Sequence, residues 1–180
     1  MPRLHHLLPL LLLVAFAAPS PAQDADDCLA CHDDTELTKN RDGRVVSLYV
    51  DLAAYEASVH GREGLSCVDC HQDLEDFEDE HADDLQPVDC ALCHDDVQDR
   101  VAHSIHGQQL AAGNALAPHC WDCHGAHEIR PPTDAASRVN RFNIPAMCGS
   151  CHKEGAPVAR FLDVPQDSIL AHYTLSIHGE

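Results

Sequence analysis

The sequence predicts a fold of mainly short α-helices and loops, with at most one small β-hairpin. Aromatic residues make up only 4% of the 180 residues, which is too few for a conventional apolar core in a chain of this length. Prolines interrupt the second half, at Pro131, Pro132, Pro145 and Pro157, so long helices are not expected there. Ten cysteines recur in pairs at one spacing. We therefore expect short elements arranged around something other than side chains.

The first 22 residues have the composition of a secretory signal peptide. Arg3 supplies a basic start, Leu7 to Ala18 forms an apolar run, and small residues up to Ala22 form a cleavage site. The run has about 12 residues, whereas a membrane-spanning helix needs about 20. We predict export to the periplasm and no membrane span in the mature chain, residues 23–180. An uncleaved amphipathic anchor is the alternative, although prolines interrupt the segment.

All ten cysteines belong to five C-x-x-C-H motifs. This motif is the signature of covalent c-type haem attachment, in which two thiols form thioethers with the porphyrin and the histidine binds the iron. Zinc sites or disulfides would not require a histidine after every second cysteine. The motifs predict five covalently attached haem c groups. Their attachment residues are Cys28, Cys31, Cys67, Cys70, Cys90, Cys93, Cys120, Cys123, Cys148 and Cys151, and their proximal iron ligands are His32, His71, His94, His124 and His152.

A second repeat, Ser-(Val/Ile)-His-Gly, occurs at residues 58–61, 104–107 and 176–179. The residues before each copy read as a helix, and the glycine stands where a helix C-terminus favours a left-handed residue. Each histidine is therefore predicted in the last turn of a helix, either as an iron ligand or as a C-terminal histidine that interacts with the helix dipole. The three predicted helices are Asp51 to Ser58, Val97 to Ile105 and Gln166 to Ile177.

The pattern near the N-terminus of the mature chain favours the one β-hairpin. The segments 35–38 and 45–50 flank Asp42-Gly43, a dipeptide that is typical of a tight turn. The rest of the chain has no comparable strand pattern. The hairpin therefore stands alone among short helices and loops that wrap around the haems.

The haem motifs and the Ser-x-His-Gly elements together resemble those of multihaem c-type cytochromes in the cytochrome c3-like group. The resemblance covers the whole mature sequence and implies a pentahaem cytochrome domain over residues 23–180. It also implies that His60, His106 and His178 are distal axial ligands. The chain stops two residues after His178. We expect either that this histidine folds back onto an upstream haem or that further haems follow.

Two other histidines complete the predicted set of distal ligands. His127 lies three residues after a proximal histidine, where it can reach a neighbouring haem, and His81 is the histidine of the acidic segment between the second and third motifs. With them, every iron has two imidazole ligands. Surface or supporting positions are expected for His103, His119 and His172, and Trp121 is expected to pack at a porphyrin edge.

These features favour a periplasmic electron carrier with closely spaced haems. The chain has 30 acidic and 11 basic side chains, a formal net charge of −19, which disfavours a nucleic-acid partner. From Glu63 to Asp99 there are 14 acidic residues and no Lys or Arg, whereas Val101 to Glu180 has seven acidic and five basic residues. We expect a negative side that docks to a basic face of a redox partner, or one that only keeps the protein solvated. The partners expected are a membrane quinol-oxidising system and a terminal reductase or outer-membrane complex.

An enzyme is the main alternative, namely a multihaem reductase of nitrite, hydroxylamine or a sulfur oxyanion. Catalysis at haem iron needs an open coordination position, and pentahaem nitrite reductases provide one by replacing a proximal histidine with lysine. No C-x-x-C-K motif occurs in this chain. A third interpretation is a module of a larger cytochrome assembly.

Overall fold

The structure is a computed structural model that describes residues 25–41, 44–74, 81–160 and 168–176. The signal peptide predicted at residues 1–22, the Asp42-Gly43 turn and His178 lie outside these ranges. Short helices and loops dominate, with a two-stranded antiparallel hairpin, so the predicted fold class is confirmed. In the described ranges no helix has the length and apolar character needed to cross a bilayer.

The helices and strands are all short. The α-helices are α1 (Ala25–His32), α2 (Leu52–Glu56), α3 (Val59–Arg62), α4 (Cys67–Cys70), α5 (Asp95–Ala102), α6 (Ile105–Ala111), α7 (Cys120–His124), α8 (Ile144–Cys151) and α9 (Ile169–Thr174). The strands are β1 (Thr38–Arg41) and β2 (Arg44–Ser47). Single 3-10 turns occupy Gln72–Leu74, Cys90–Leu92 and Pro157–Arg160.

The hairpin forms where the sequence predicts it, with its strands shifted by a few residues. Thr38 pairs with Ser47 and Arg41 with Arg44. The first strand begins later than predicted because the backbone N–H of Glu36 donates to the Asp34 carboxylate at 2.8 Å, which holds a turn before the strand. The hairpin therefore follows α1 after one tight turn.

The first two Ser-x-His-Gly elements begin helices instead of ending them. Ser58 and Ser104 are the N-cap residues of α3 and α6, and their hydroxyl oxygens accept hydrogen bonds from the N–H groups of Gly61 and Gly107 at 3.0 and 3.1 Å. The prediction of a left-handed glycine is therefore wrong for both copies, and His106 lies in the first turn of α6 instead of a last turn. Helix α3 is a single turn, so His60 lies in its first and last turn alike. A serine N-cap satisfies the free N–H groups of a new helix, so the chain restarts a helix at this point.

Glycine is needed in these elements because two backbones approach closely. A Cβ atom on Gly61 would overlap the carbonyl oxygen of Tyr55 in α2, and one on Gly107 would overlap the carbonyl oxygen of Val101 in α5. Each new helix thus packs its first turn directly on the end of the helix before it. The histidine between serine and glycine is held at this junction.

Few apolar side chains are buried among the described residues. The buried apolar residues are Ala117 and Ala156, whereas the most deeply buried side chains are those of Ser58 and Ser137. Large apolar side chains such as Phe142, 74% exposed, lie at the surface. Burial of apolar surface is normally the dominant favourable term in folding. The described part of the chain has no apolar core of its own.

The segment between the fourth and fifth motifs is held by polar groups. Arg130 and Asp134 form an ion pair at 3.1 Å, and the Ser137 hydroxyl donates to the Arg130 carbonyl at 3.1 Å. The Asn140 amide donates to the carbonyl of Pro132 at 2.9 Å. These bonds fix a series of turns that carries the chain to α8.

Candidate haem-binding sites

Each C-x-x-C-H motif lies on or beside a helical turn. Helix α1 ends at His32 and α7 at His124, while α4 and α8 end one residue before their motif histidines. The third motif begins in a 3-10 turn, and His94 is the N-cap residue of α5. Helical spacing brings residues three apart onto one face, so each pair of cysteines is presented together. None of the ten cysteines is in a disulfide.

A carboxylate inside two of the motifs fixes the first turn. The backbone N–H and the hydroxyl of Ser66 both donate to the Asp69 carboxylate, at 2.6 and 2.7 Å. In the fourth motif the N–H of His119 donates to the carboxylate of Asp122 at 2.7 Å. The pKa of Asp69 is lowered by these hydrogen bonds from Ser66. The cysteine pair is thus preceded by a closed capping interaction.

Among the described residues, four of the five motif histidines lie opposite a second histidine ring. Each pair joins a predicted proximal ligand with a predicted distal ligand. The distances between ring centres are 6.1 Å for His32 and His81, 6.0 Å for His94 and His60, 6.4 Å for His71 and His127, and 6.0 Å for His152 and His106.

The spacing of these rings suits one metal ion between each pair. A bond from a metal to an imidazole nitrogen is about 2 Å, and the nitrogen lies about 1.1 Å from the ring centre, so two opposite imidazoles have centres about 6 Å apart. The direct ring stack of His119 on Trp121 is closer, at 4.4 Å. Each of the four pairs therefore has the spacing expected of two imidazole ligands on one haem iron.

The pairing connects segments that are far apart in sequence. His127 lies three residues from His124 but opposite His71, and His81 lies ten residues from His71 but opposite His32. Even the pair of His60 and His94 is 34 residues apart. An iron held between two such rings would cross-link distant parts of the chain.

The first ring pair is fixed by hydrogen bonds on both sides. The Nδ1 atom of His32 is 2.7 Å from the carbonyl oxygen of Leu48, and the Nδ1 atom of His81 is 2.9 Å from the carbonyl oxygen of Ala82. A carbonyl oxygen only accepts, so in each ring Nδ1 carries the proton and donates. Nε2 is then the unprotonated nitrogen, which is the one that can bind a metal. The two ring planes are inclined by only 10°.

Two motif histidines of the other pairs lack this support. The Nδ1 atoms of His71 and His152 are buried and have no hydrogen-bond partner among the described residues. Burial lowers the pKa values of His60, His71 and His127. A lowered pKa keeps an imidazole neutral, which is the form that binds a metal. The ring planes of these three pairs are inclined by 31° to 47°.

The remaining histidines lie outside these pairs. His124 has no opposite histidine ring among the described residues, and His178, the remaining predicted distal ligand, lies outside them. The Nδ1 atom of His103 is 2.7 Å from the Asp99 carbonyl oxygen, and His172 is exposed on α9. His119 starts α7 and stacks on Trp121 with 6° between their planes. Packing of Trp121 on a porphyrin stays a prediction.

Cysteine thiols of consecutive motifs are close together. Burial and a hydrogen bond with Cys67 raise the pKa of Cys28 to about 11, and burial and a hydrogen bond with Cys120 do the same for Cys90. Burial also raises the pKa of Cys70 and that of Cys123, with smaller effects of Cys93 on the first and Cys148 on the second. The five motifs are therefore neighbours in space in the order of the sequence.

The sequence did not predict the hydrogen bonds that orient the rings of His32 and His81. The Leu48 carbonyl that accepts from His32 is a backbone group, for which the sequence contains no signal. The capping role of His119 had a signal, because His119 precedes Cys-x-Asp-Cys just as Ser66 does in the second motif.

A family model described as Cytochrome c3 matches residues 59–153, which is more than half of the chain. The match includes the second to fifth C-x-x-C-H motifs and the histidines that face three of them. No curated protein and no solved structure gives a significant match. Proteins of this family carry covalently bound haem c, transfer electrons and are typically periplasmic. With the motifs, the paired rings and this match together, the chain belongs to the cytochrome c3 family.

Proposed function

We propose that this protein is a periplasmic pentahaem cytochrome that passes electrons along five closely spaced haems. Four of the haems have the ring pairs His32/His81, His94/His60, His71/His127 and His152/His106 as axial ligands, and the fifth is attached at Cys120 and Cys123 with His124 as proximal ligand. We assign His178 as its distal ligand. When bound, haem iron takes up and releases single electrons.

The single observation that carries the proposal is the spacing of the ring pairs. Four independent pairs each combine a motif histidine with a histidine far away in sequence, at 6.0 to 6.4 Å. Two imidazoles on one iron leave no open position for a substrate. This coordination favours electron transfer over reduction of a small molecule.

The sparse core supports the same proposal. The buried apolar side chains of the described residues are two alanines. Covalently attached haems would supply the missing apolar contacts, and two axial bonds per iron would join segments at least 34 residues apart. We therefore expect the chain to fold only when the haems are attached.

The order of the thiols supports a relay. Cys28 contacts Cys67, and Cys90 contacts Cys120, so the porphyrins attached to these residues would have neighbouring edges. Close edges allow fast electron tunnelling, because the rate falls steeply with separation. The proposed path runs from the first motif to the fifth, with haems one and five at its ends.

The acidic segment supports a basic redox partner. Its described carboxylates, which include Asp83, Asp84, Asp95 and Asp96, are exposed. A negative surface attracts a basic face on a donor or acceptor and makes association sensitive to salt. We propose that the partners are proteins of the exporting cell's respiratory chain, such as a quinol-oxidising complex, a terminal reductase or an outer-membrane complex.

The test uses protein matured in a host that assembles c-type cytochromes. The pyridine haemochrome assay should give five haems per chain, and electron paramagnetic resonance of the oxidised protein should show only low-spin ferric iron. A high-spin fraction that binds nitrite or cyanide would instead favour the reductase. Fewer than five haems would overturn the pentahaem assignment.

A further inference from the structure

The hairpin and the residue that follows it are bonded to His32 on one side and to residues close to His81 on the other. On one side, the carbonyl oxygen of Leu48, just after β2, accepts from Nδ1 of His32 at 2.7 Å. On the other side, Lys39 of β1 binds residues 83 and 84, next to His81. The hairpin thus lies between α1 and the segment that follows the second motif.

Lys39 makes two contacts with that segment. Its ammonium group donates to the backbone carbonyl of Asp83 and to the carboxylate of Asp84, the second at 3.0 Å. The Lys39 side chain is only 18% exposed, whereas that of Asp84 is 93% exposed. An ion pair to so exposed a carboxylate contributes little. The charge-assisted bond to the Asp83 carbonyl is therefore the stronger contact.

The hairpin itself is well held to α1. The N–H of Leu48 donates to the carbonyl of Leu37 at 2.9 Å, which extends the ladder of the strands, and the N–H of Val50 donates to the carbonyl of His32 at 2.7 Å. The backbone of His32 and its ring are thus both bonded to residues that directly follow the second strand. Lys39 lies on the paired strand, opposite Val46.

We propose that Lys39 is a positioning residue that keeps His81 on the iron of the first haem. The inference rests on the proposed function, because it takes His32 and His81 as the ligands of that iron. The hairpin sets the proximal ring through Leu48, and Lys39 sets the segment of the distal ring. Residues 25–50 precede the part of the chain that the family model matches, so this support belongs to this chain's own N-terminal region.

The exposed backbone around His81 explains why a positioning residue is needed there. Residues 81–84 form exposed, irregular backbone, and His81 itself is exposed. His60 and His106, in contrast, lie in helices that begin with a serine cap and pack on a preceding helix. Lys39 supplies for His81 the anchoring that a helix supplies for those histidines.

The test compares Lys39→Met with a matched control, Arg100→Met. Arg100 also forms an ion pair, with Asp96 at 2.9 Å, but both its side chain and that of Asp96 are about 70% exposed. Each variant removes one positive charge. The haem count of each protein is measured first, followed by the rate and amplitude of carbon monoxide binding to the dithionite-reduced protein.

In Lys39→Met we expect carbon monoxide to bind about tenfold faster than in the wild type, with an amplitude of one haem in five. Arg100→Met should behave as the wild type, and Lys39→Arg should restore slow binding because it retains the donor and the charge. Asp84→Asn should have a smaller effect than Lys39→Met. If Lys39→Met does not accumulate with five haems, Lys39→Gln is measured against the same control.

Binding in Lys39→Met that equals that of Arg100→Met would overturn the role of Lys39. Faster binding spread over several haems would also overturn it, since that result indicates general loosening. A wild-type protein without five low-spin haems would instead contradict the proposed function. The two failures are therefore distinguishable.

Discussion

The ring pairs of the first and fifth motifs both consist of two histidines, but their surroundings differ. At the first, both Nδ1 atoms lie within hydrogen-bond distance of a backbone carbonyl and the ring planes are inclined by 10°. At the fifth, Nδ1 of His152 is buried without a partner among the described residues, and the planes are inclined by 31°. The comparison shows that identical motifs have histidines with different surroundings, because the groups around the rings differ.

The mechanical support of the two pairs differs as well. Asp83, two residues after His81, is bonded by Lys39 of the hairpin, whereas His106 lies in α6, whose first turn packs on α5. The segment that follows His81 is thus held by bonds from a side chain, and His106 is held by close backbone packing. Each kind of support should fail in its own way.

Removal of the distal ligand should have the largest effect. His81→Ala should open one haem in five, which then binds carbon monoxide and gives a high-spin ferric signal. His172→Ala, a change of an exposed histidine on α9, should leave all haems low-spin. Absorbance spectra with and without carbon monoxide measure both. If His81→Ala stays fully low-spin, the assignment of His81 is wrong.

The second largest effect is expected from replacement of Gly107, the glycine beside His106, which should disturb the fifth haem. The Cβ atom of Gly107→Ala would overlap the Val101 carbonyl, so we expect a loss of about 1–3 kcal/mol in the free energy of unfolding. Gly113→Ala is the control. It has φ 76° but no atom within 4 Å of an added Cβ, so it should cost about 1 kcal/mol.

Denaturant unfolding of the haem-loaded proteins, together with carbon monoxide binding, separates the two glycines. Only Gly107→Ala should increase carbon monoxide binding. Equal effects of both substitutions would contradict the packing argument for Ser-x-His-Gly.

The hydrogen bonds of the first pair should lower its potential. A proton on Nδ1 that is shared with a carbonyl makes the imidazole a stronger electron donor and stabilises ferric iron. If such a bond favours the ferric state by about 1 kcal/mol, the shift is about 40 mV. Nearly parallel imidazole planes give a rhombic low-spin signal, so the rhombic signal should be the last to disappear in a reductive titration followed by electron paramagnetic resonance. Its early loss would reverse the order that we expect.

The polar loop before the fifth motif should respond weakly to pH. A hydrogen bond from the Ala136 N–H, and then the Arg130 side chain, hold the pKa of Asp134 below its usual range. Its contribution to stability is therefore present above the unfolded pKa, about 3.9, and is lost as the pH falls through the lower folded pKa. Asp134→Asn should be less stable than the wild type at pH 7 and equal to it in strong acid.

Thermal unfolding between pH 2 and 7 measures this difference, with Glu56→Gln, at the exposed end of α2, as the control. If the difference in melting temperature between Asp134→Asn and the wild type is constant over this range, the charge of the carboxylate does not stabilise the loop.

Much of the site could be predicted from the sequence because covalent haem attachment has a local signature. The five C-x-x-C-H motifs are recognisable from spacing alone, His81 and His127 were chosen by their positions relative to the motifs, and His60 and His106 follow from the resemblance to multihaem cytochromes. Which histidine faces which motif could not be predicted, since pairs such as His71 and His127 depend on how distant segments pack. The Ser-x-His-Gly helices were misassigned because a glycine after a helix usually marks its end, whereas here the serine begins the next one.

The most direct test of the account is a crystal structure of the haem-loaded protein with iron located by anomalous scattering. The account predicts one iron between the Nε2 atoms of each of the four ring pairs, at about 2 Å from both. The account would be contradicted if the iron bound to His32 had water as its second ligand, or a histidine other than His81.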